Sequence, residues 1–234
     1  MGVNAQTAVP AFTAGQVLTA AQMTEVNTGI PVFATTVTRD AAFGGSGEKV
    51  LAQGQYAFIE ATNTTQFYDG AAWNTLGGGL TLVKSQVVGS AVASVQVTSA
   101  FSATYDNYII TYNNGSSSAT DQMNMIVGAT TSGYYYNITG TTWNATFSGN
   151  GSTTSVHWPY VGETNSVNGV TVYAQISSPF LAKRTEITSR YMTTVGGYTM
   201  QGMLDNTTSY TSFTFSPNAG TITGGTIRVY GFNI

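Results

Sequence analysis

The stretch Gly224-Gly225-Thr226-Ile227-Arg228-Val229-Tyr230-Gly231-Phe232 decides the fold. Its apolar residues Ile227 and Val229 alternate with polar or amphipathic ones, which is the period of a half-buried β-strand. Because the sequence ends almost directly afterwards, we expect pairing inside a sheet to hold this strand and prevent fraying. We therefore predict that it closes a β-sandwich whose first strand lies far back in the sequence.

The composition favours the same fold class. Of the 234 residues, 42% are hydrophobic and only 7% are charged, against about a quarter in average soluble proteins. Thr, Ser, Asn and Gly supply most of the polarity. Thr, Tyr, Val and Phe favour a pleated surface, whereas Gly and Asn favour the turns between strands. These preferences predict an all-β protein with many short strands.

The charge balance restricts the classes of molecule that the chain is expected to bind. The net charge is −3 and no basic stripe is present, so nucleic acid is not expected as a partner. No apolar run reaches the roughly 20 residues of a membrane span, which excludes membrane insertion through a helix. With 0 cysteines, disulfides and thiolate metal sites are ruled out. A surface this poor in ions protects bare strand edges badly, which favours a homo-oligomer.

The N-terminal third divides into an arm and a small β unit. Residues 1–31 predict an extended arm with a short helix, Ala20 to Asn27, capped by Thr19. Residues 32–79 predict a small β adaptor unit that ends in the glycine joint 77–79.

Two strands are expected within the adaptor unit, Gln55 to Ile59 and Gln66 to Tyr68, followed by a hairpin turn at Asp69-Gly70. Trp73, just after the turn, is expected to fold back onto Tyr68 or Phe58.

Residues 80–234 consist throughout of strand-like stretches separated by turn residues, as expected of a β-sandwich. About seven or eight strands at regular spacing predict a jelly-roll-like sandwich. Within it, residues 128–169 are expected to be rich in loops and carry many aromatic side chains.

Several stretches together resemble bacteriophage virion proteins of the tail-fibre, minor-tail and receptor-binding type. The segment 13–23 (TAGQVLTAAQM) resembles their N-terminal attachment segment. The segments 38–42 (TRDAA) and 68–73 (YDGAAW) are similar to their small adaptor hairpin unit. The segments 101–108 (FSATYDNY) and 225–231 (GTIRVYG) resemble their C-terminal β-sandwich.

The resemblance implies a function and a location. It implies a homotrimeric tail fibre or spike on the phage particle, docked to other virion proteins through residues about 1–76. The C-terminal sandwich would face outward and bind the host surface, including cell-surface glycan. Head fibres share these modules, so a capsid fibre or decoration protein is an alternative. A glycan depolymerase is a second alternative.

The aromatic residues of the central region are the candidate binding groups, because an exposed ring offers apolar area for stacking on a sugar at low entropic cost. The alternative is that most of them fill the sandwich core or a contact between subunits. The candidates for glycan or receptor binding are Tyr134, Tyr136, Trp143, Trp158 and Tyr160.

No pattern of catalytic, cofactor-binding or metal-ligating residues is recognisable, so we expect a protein that is not an enzyme and carries no cofactor. His157 is the single histidine, and without a nucleophile elbow or any cysteine it is expected to be structural. Carboxylate pairs could hydrolyse glycans, but none is evident from spacing. The carboxylates considered are Asp106, Asp121, Glu163, Glu186 and Asp205.

Overall fold

The computed structural model describes residue 9 and residues 11–20, 29–46, 48–76 and 79–232. It is almost entirely β, with its sheets in a sandwich-like arrangement, and this confirms the expected fold class. The chain divides into two compact units, Met1–Gly78 and Gly79–Ile234. The helix expected over Ala20 to Asn27 lies, apart from Ala20, outside the described residues.

The N-terminal unit is built on a four-stranded sheet with the order β1-β2-β3-β4. Strand β1 is parallel to β2, and the other pairs are antiparallel. Its elements are β1 (Val32–Phe33), α1 (Thr36–Asp40), β2 (Tyr56–Ile59), β3 (Thr64–Tyr68) and β4 (Trp73–Thr75).

The hairpin between β3 and β4 forms where the sequence predicts it. The Asp69 carboxylate accepts hydrogen bonds from the backbone N–H groups of Ala72 and Ala71, at 2.7 and 2.8 Å. These bonds lower the pKa of Asp69. Trp73 pairs directly with Tyr68, with ring centroids 5.6 Å apart, so the expected cross-strand aromatic contact is confirmed.

Helix α1 was not anticipated, because it is only one turn long. It begins with a capping box in which Thr35 and Thr38 exchange side-chain and backbone hydrogen bonds. It brings Arg39 into the unit with a relative exposure of 6%. The guanidinium lies 4.6 Å from the centroid of the Trp73 ring and donates to Asp40 and Gln66. The helix thereby connects the strands through one buried cation.

The C-terminal unit contains more strands than the seven or eight expected. They are β5 (Thr81–Val87), β6 (Val95–Val97), β7 (Asn107–Ser117), β8 (Asp121–Val127), β9 (Tyr134–Thr142), β10 (Phe147–Ser155), β11 (Trp158–Asn165), β12 (Gly169–Ser177), β13 (Thr185–Met192), β14 (Gly196–Leu204), β15 (Phe213–Pro217), β16 (Ile222–Thr223) and β17 (Thr226–Phe232).

The expectation of a loop-rich region over residues 128–169 was wrong, because β9, β10 and β11 occupy most of it. The apolar alternation that signals a strand is missing from β10, whose residues are exposed on both faces. Gly, Ser, Asn and Thr also dominate β10, and these residues are typical of turns. The hairpin pairing with β9, across the turn at residues 143–146, therefore overrides a weak local preference.

The sheet of this unit forks at β12. One edge of β12 pairs along its length with β7. Its other edge pairs first with β11, over Gly169 to Val172, and then with β13, over Ala174 to Ser177. From the fork, one branch continues as β13-β14-β9-β10 and the other as β11-β8-β15-β6.

The two branches face each other across a shared core. Tyr134 of β9 meets Trp158 of β11 edge-on, with ring centroids 5.1 Å apart. The Tyr134 hydroxyl accepts from the backbone N–H of Val127 on β8 at 2.9 Å, and the Ser189 hydroxyl of β13 donates to the Val161 carbonyl of β11 at 2.6 Å. Apolar burial between the branches stabilises the sandwich.

The prediction that the last strand, β17, is held by pairing inside a sheet is confirmed. It lies between β5, its partner from the start of the unit, and β7. Ile227 and Val229 have 0% exposure, as their alternation predicts. The ring of Tyr105 lies over Gly231, where any Cβ would overlap it. The segments 101–108 and 225–231, which carry the resemblance, are therefore in direct contact.

Candidate functional site

A bulge in β11 directs Tyr160 out of the regular strand. The pairing of β11 with β8 shifts register between Trp158 and Gly162. Tyr160, inside this bulge, has a φ of 59°, in the left-handed region that few non-glycine residues adopt. Such a conformation costs about 1–3 kcal/mol and is concentrated at functional positions. Bulges also re-aim side chains, and here the redirected ring meets a ring of β13.

Three tyrosines form a stack across three strands. Tyr160 of β11 lies against Tyr191 of β13, with centroids 5.7 Å apart and ring planes inclined by 23°. Tyr191 lies against Tyr198 of β14 at 5.2 Å and 16°. All three rings are half-buried and pack against the core on one side. We call these three residues the tyrosine stack.

A glycine on the next strand makes room for the stack. Gly140 of β9 is the cross-strand partner of Tyr198. A Cβ at position 140 would lie 2.6 Å from Cδ1 of the Tyr198 ring, which is closer than real contacts allow. The absence of a side chain there lets the Tyr198 ring lie across the strand.

The tyrosine stack forms one wall of a groove of about 430 Å³. The groove lies between the two branches of the sheet, because strands of both branches contribute to its lining. Polar residues of β8, β10 and β11 line its other side, notably Asp121, Gln122, Asn150 and Glu163. A few half-buried rings beside oriented polar groups are typical of small-molecule and sugar sites.

The groove carries negative charge. Asp121 accepts hydrogen bonds from the backbone N–H of Gln122 at 2.7 Å and from the Asn218 amide at 3.0 Å. Glu163 accepts one from the Asn165 amide at 3.3 Å. Both carboxylates are thus held by neutral donors. Among the described residues, the two ion pairs, Arg39–Asp40 and Arg184–Asp205, lie elsewhere.

The hydroxyl groups of the stack respond to this environment. Burial raises the pKa of Tyr191, and the neighbouring Tyr160, Tyr198 and Glu163 add to the increase. Burial also raises the pKa of Tyr160, with smaller contributions from Tyr136 and Asp121. The hydroxyls of Tyr160 and Tyr191 therefore remain protonated and can donate hydrogen bonds across the neutral pH range.

The structure separates the five aromatic candidates. Tyr134 and Trp158 have 0% exposure and pack against each other in the core, so they cannot stack on a ligand and are removed from the set. The alternative weighed for these residues, that they fill the core, is correct for both. Tyr160 lines the groove, and Tyr136 is half-buried beside the core.

Trp143 is exposed, with 62% relative exposure, at the turn between β9 and β10. Its indole N–H donates to the Thr193 carbonyl at 3.2 Å, which holds the ring against the turn between β13 and β14. Thr193 and Val195 of that turn line the groove, so Trp143 lies near its rim. The exposed face of Trp143 remains available to a ligand.

Two members of the stack, Tyr191 and Tyr198, were missed. Both lie outside residues 128–169, where the candidates were sought. Tyr191 lies between Arg190 and Met192 and Tyr198 follows a Gly-Gly pair, and neither pattern distinguishes a site from a core position. They become neighbours only because β13 and β14 pair with Tyr191 opposite Tyr198.

The remaining charged candidates are dispersed. His157 is half-buried and burial lowers its pKa, while its backbone bonds the Ser155 hydroxyl. Asp205 pairs with Arg184 at 2.8 Å, and Glu186 lines a different depression, on the outer side of β13. Asp121 and Glu163 both line the groove, but Glu163 lies opposite Gln122 and Asp121 opposite Thr164, so their side chains leave the paired strands on opposite faces. Within the described residues no group of three or more His, Cys, Asp or Glu could hold a metal ion.

The described part of the chain has no helix with the length and apolar character needed to cross a membrane. The sequence matches no protein-family model and no curated protein, and the fold matches no solved structure.

Proposed function

We propose that this chain is a non-enzymatic structural component of a bacteriophage virion. In this proposal it is a homotrimeric tail fibre or spike, attached through its N-terminal region, whose C-terminal sandwich binds host-surface glycan. The groove with the tyrosine stack is the single observation that supports binding most strongly.

The stack supports a sugar ligand for a physical reason. Sugar rings present a face of C–H groups that packs on an aromatic face, while their hydroxyls need polar partners at the edge. The groove offers both, since Tyr160 and Tyr198, the outer rings of the stack, supply aromatic surface and Gln122 and Asn150 supply amides, while Tyr191 holds the two outer rings in place. Weak single sites would gain strength through repeated copies on one particle.

The segments that resemble phage proteins also form physical units. Arg39 of the segment 38–42 lies over Trp73 of the segment 68–73. Tyr105 and Gly231 connect the two C-terminal segments in the same way. Each pair of segments thus meets within one packed unit, which supports the interpretation that the segments are complete modules and not chance similarities of sequence.

Glycan binding is tested by comparing Tyr191→Ala with Tyr56→Ala. Tyr56 is exposed and lies in the N-terminal unit, so it controls for the loss of a tyrosine. We expect binding to host envelope polysaccharide, measured by calorimetry, to weaken about 5- to 100-fold for Tyr191→Ala, the usual value of one aromatic contact, and to stay unchanged for Tyr56→Ala. Equal binding by both variants contradicts the proposal.

The oligomeric state and the location on the particle need separate measurements. Mass measurement in native buffer is expected to give a trimer, and a stable monomer would contradict it. Imaging of antibody-labelled particles distinguishes the tail from the capsid. Label on the capsid would contradict a tail fibre and support the alternative, a head fibre or decoration protein.

A second candidate function, glycan hydrolysis, is favoured by one observation. Asp121 and Glu163 lie on the paired strands β8 and β11 and both line the groove. Most glycoside hydrolases use two carboxylates that flank the same sugar, whereas the register directs these two to opposite faces of the paired strands, so this candidate ranks second. Incubation with host polysaccharide tests this function: release of reducing ends that disappears in Asp121→Asn or Glu163→Gln would establish it in place of simple binding.

A further inference from the structure

The chain contains three Asn-Gly dipeptides, at residues 114–115, 150–151 and 168–169. Asparagine is thermally labile, and it is most labile before glycine, because no side chain hinders attack of the next backbone nitrogen on the side-chain amide carbon. The sequence ranks the three dipeptides equally. Their surroundings in the structure differ, and the differences favour reaction at Asn150.

The side chain of Asn150 lies against the nitrogen that would attack it. The backbone N–H of Gly151 donates to Oδ1 of Asn150 at 2.8 Å, so the carbon that carries this oxygen lies beside the nitrogen. Both residues are exposed, as are Ser148 and Gly149 before them. The reacting groups therefore start near the geometry of bond formation, and no packed side chain opposes the rotation that completes it.

The pairing of β10 leaves the Gly151 nitrogen on the outer edge of the strand. At the hairpin turn the Thr142 N–H donates to the Thr146 carbonyl at 2.9 Å, and hydrogen-bonded and non-hydrogen-bonded pairs alternate from there. Gly151, opposite Asn137, falls on a non-hydrogen-bonded pair, so its N–H points away from β9. Among the described strands β10 pairs with β9 alone, so no ladder bond holds this nitrogen.

The other two dipeptides are packed against each other inside the sheet. Gly115 is buried, and a Cβ there would lie 2.5 Å from the Tyr112 hydroxyl oxygen. Gly169 has a φ of +88°, and a Cβ there would lie 2.5 Å from the Gly115 carbonyl oxygen. Ring closure at Asn114 or Asn168 has to displace these contacts, so we expect both asparagines to react slowly.

We propose that Asn150 is a site of spontaneous deamidation that changes the groove with time. The Gly151 nitrogen loses its proton and bonds to Cγ of Asn150, and the side-chain nitrogen leaves with that proton as ammonia. Water then opens the resulting succinimide ring at either carbonyl. One product is aspartate, and the other is isoaspartate, in which the main chain runs through Cγ.

The reaction alters the proposed binding site, because Asn150 lines the groove. A carboxylate that only accepts hydrogen bonds replaces an amide that also donates them. The isoaspartate product also lengthens the backbone of β10 by one carbon, which strains its pairing with β9. This effect on the groove rests on the proposed glycan binding, whereas the deamidation itself does not.

Peptide mapping of the full-length protein after incubation at physiological temperature tests the deamidation. Mass spectrometry detects the exchange of NH2 for OH at each asparagine. We expect Asn150 to react at least about tenfold faster than Asn114 and Asn168, because small displacements of reacting atoms cost that much or more. The rate should rise with pH, because the attacking nitrogen must lose its proton. Unfolding in urea should bring the three rates together, because it removes the structural difference.

Thr154→Lys is mapped in parallel, because lysine on the edge strand keeps another chain from pairing with β10 and covering Gly151. Faster reaction of Asn150 than of Asn114 and Asn168 in either protein supports the proposal. An Asn150 that reacts no faster than the other two in both proteins overturns it.

The effect on the groove is measured as binding to host envelope polysaccharide during the same incubation. Wild-type affinity should fall as Asn150 is lost, whereas Asn150→Gln, whose longer side chain closes a ring more slowly, should keep the affinity with which it starts. Loss of Asn150 without loss of affinity overturns the effect on the groove and leaves the deamidation intact. Absence of binding before incubation contradicts the proposed function itself.

Discussion

The ring of Tyr105 lies across Gly231, so that a Cβ at position 231 would overlap the ring. This relationship fixes the closing strand β17 against the segment that leads into β7. It accounts for a glycine near the end of a strand that is paired on both edges, where a residue without a side chain is otherwise unfavourable.

Gly231→Ala is therefore expected to destabilise the C-terminal unit by about 1–3 kcal/mol, the usual cost of overpacking. Urea unfolding measures the change. Gly79→Ala is the matched control, because a Cβ there meets nothing within 4 Å. Adding Tyr105→Ala to Gly231→Ala should recover part of the loss, and strict additivity of the two substitutions would contradict the steric explanation.

The two ion pairs predict contrasting costs. Arg39 has 7% side-chain exposure, whereas Arg184 has 51%, although their N···O distances to Asp40 and Asp205 are 2.6 and 2.8 Å. Arg39→Ala should destabilise the N-terminal unit by about 1–3 kcal/mol, because it removes the buried contact to Trp73 and leaves Gln66 without its donor, while the exposed Asp40 stays hydrated. Arg184→Ala should cost much less, because both partners are exposed and water screens the pair. Similar melting shifts for the two variants would contradict this prediction.

Alkaline pH should unfold the protein through its buried tyrosines. Tyr112 donates its hydroxyl to the Gly224 carbonyl at 2.8 Å, and burial raises its pKa to about 12. An unfolded tyrosine ionises near pH 10, so above about pH 10 the unfolded state has released a proton that the folded state retains. The contribution of Tyr112 to the free energy of unfolding is therefore fully present below about pH 10 and is lost as pH rises toward about 12.

Burial also raises the pKa of Tyr134 and of Tyr191, which steepens this loss. Tyr112→Phe removes one of the ionising groups and should flatten the dependence, as measured by urea unfolding between pH 9 and 12. If the free energy of unfolding of Tyr112→Phe falls with pH as steeply as that of the wild type, groups other than Tyr112 cause the loss of stability at alkaline pH.

The outer edge of β10 is expected to take part in self-association. Among the described strands it pairs with β9 alone, and none of its nine residues is charged. Lysine on an edge strand opposes pairing with another chain, and the other long edge, β5, already carries Lys84. Thr154→Lys should therefore shift the native mass toward the monomer, whereas Ser85→Lys on β5 should not. A trimer that survives Thr154→Lys assigns the contact to another surface.

Local signals in the sequence were sufficient for some elements. The β17 alternation and the Asp69-Gly70 turn depend on neighbouring residues alone, and both form as predicted. Of the strands of residues 128–169, β9 and β11 depend on the distant partners β14 and β8, and the polar sequence of β10 conceals that strand. The tyrosine stack is still harder to predict from the sequence, because the bulge at Tyr160 and the register of β13 with β14 exist only in the assembled sheet.

The fork at β12 decides how much of this protein could be transplanted into another. Because one strand hydrogen-bonds with both branches, neither branch retains a complete set of backbone partners when the other is cut away. An engineer who wishes to graft the groove onto a new scaffold must therefore carry over the whole of Gly79–Ile234 as a cassette, since no shorter excerpt keeps both walls in place.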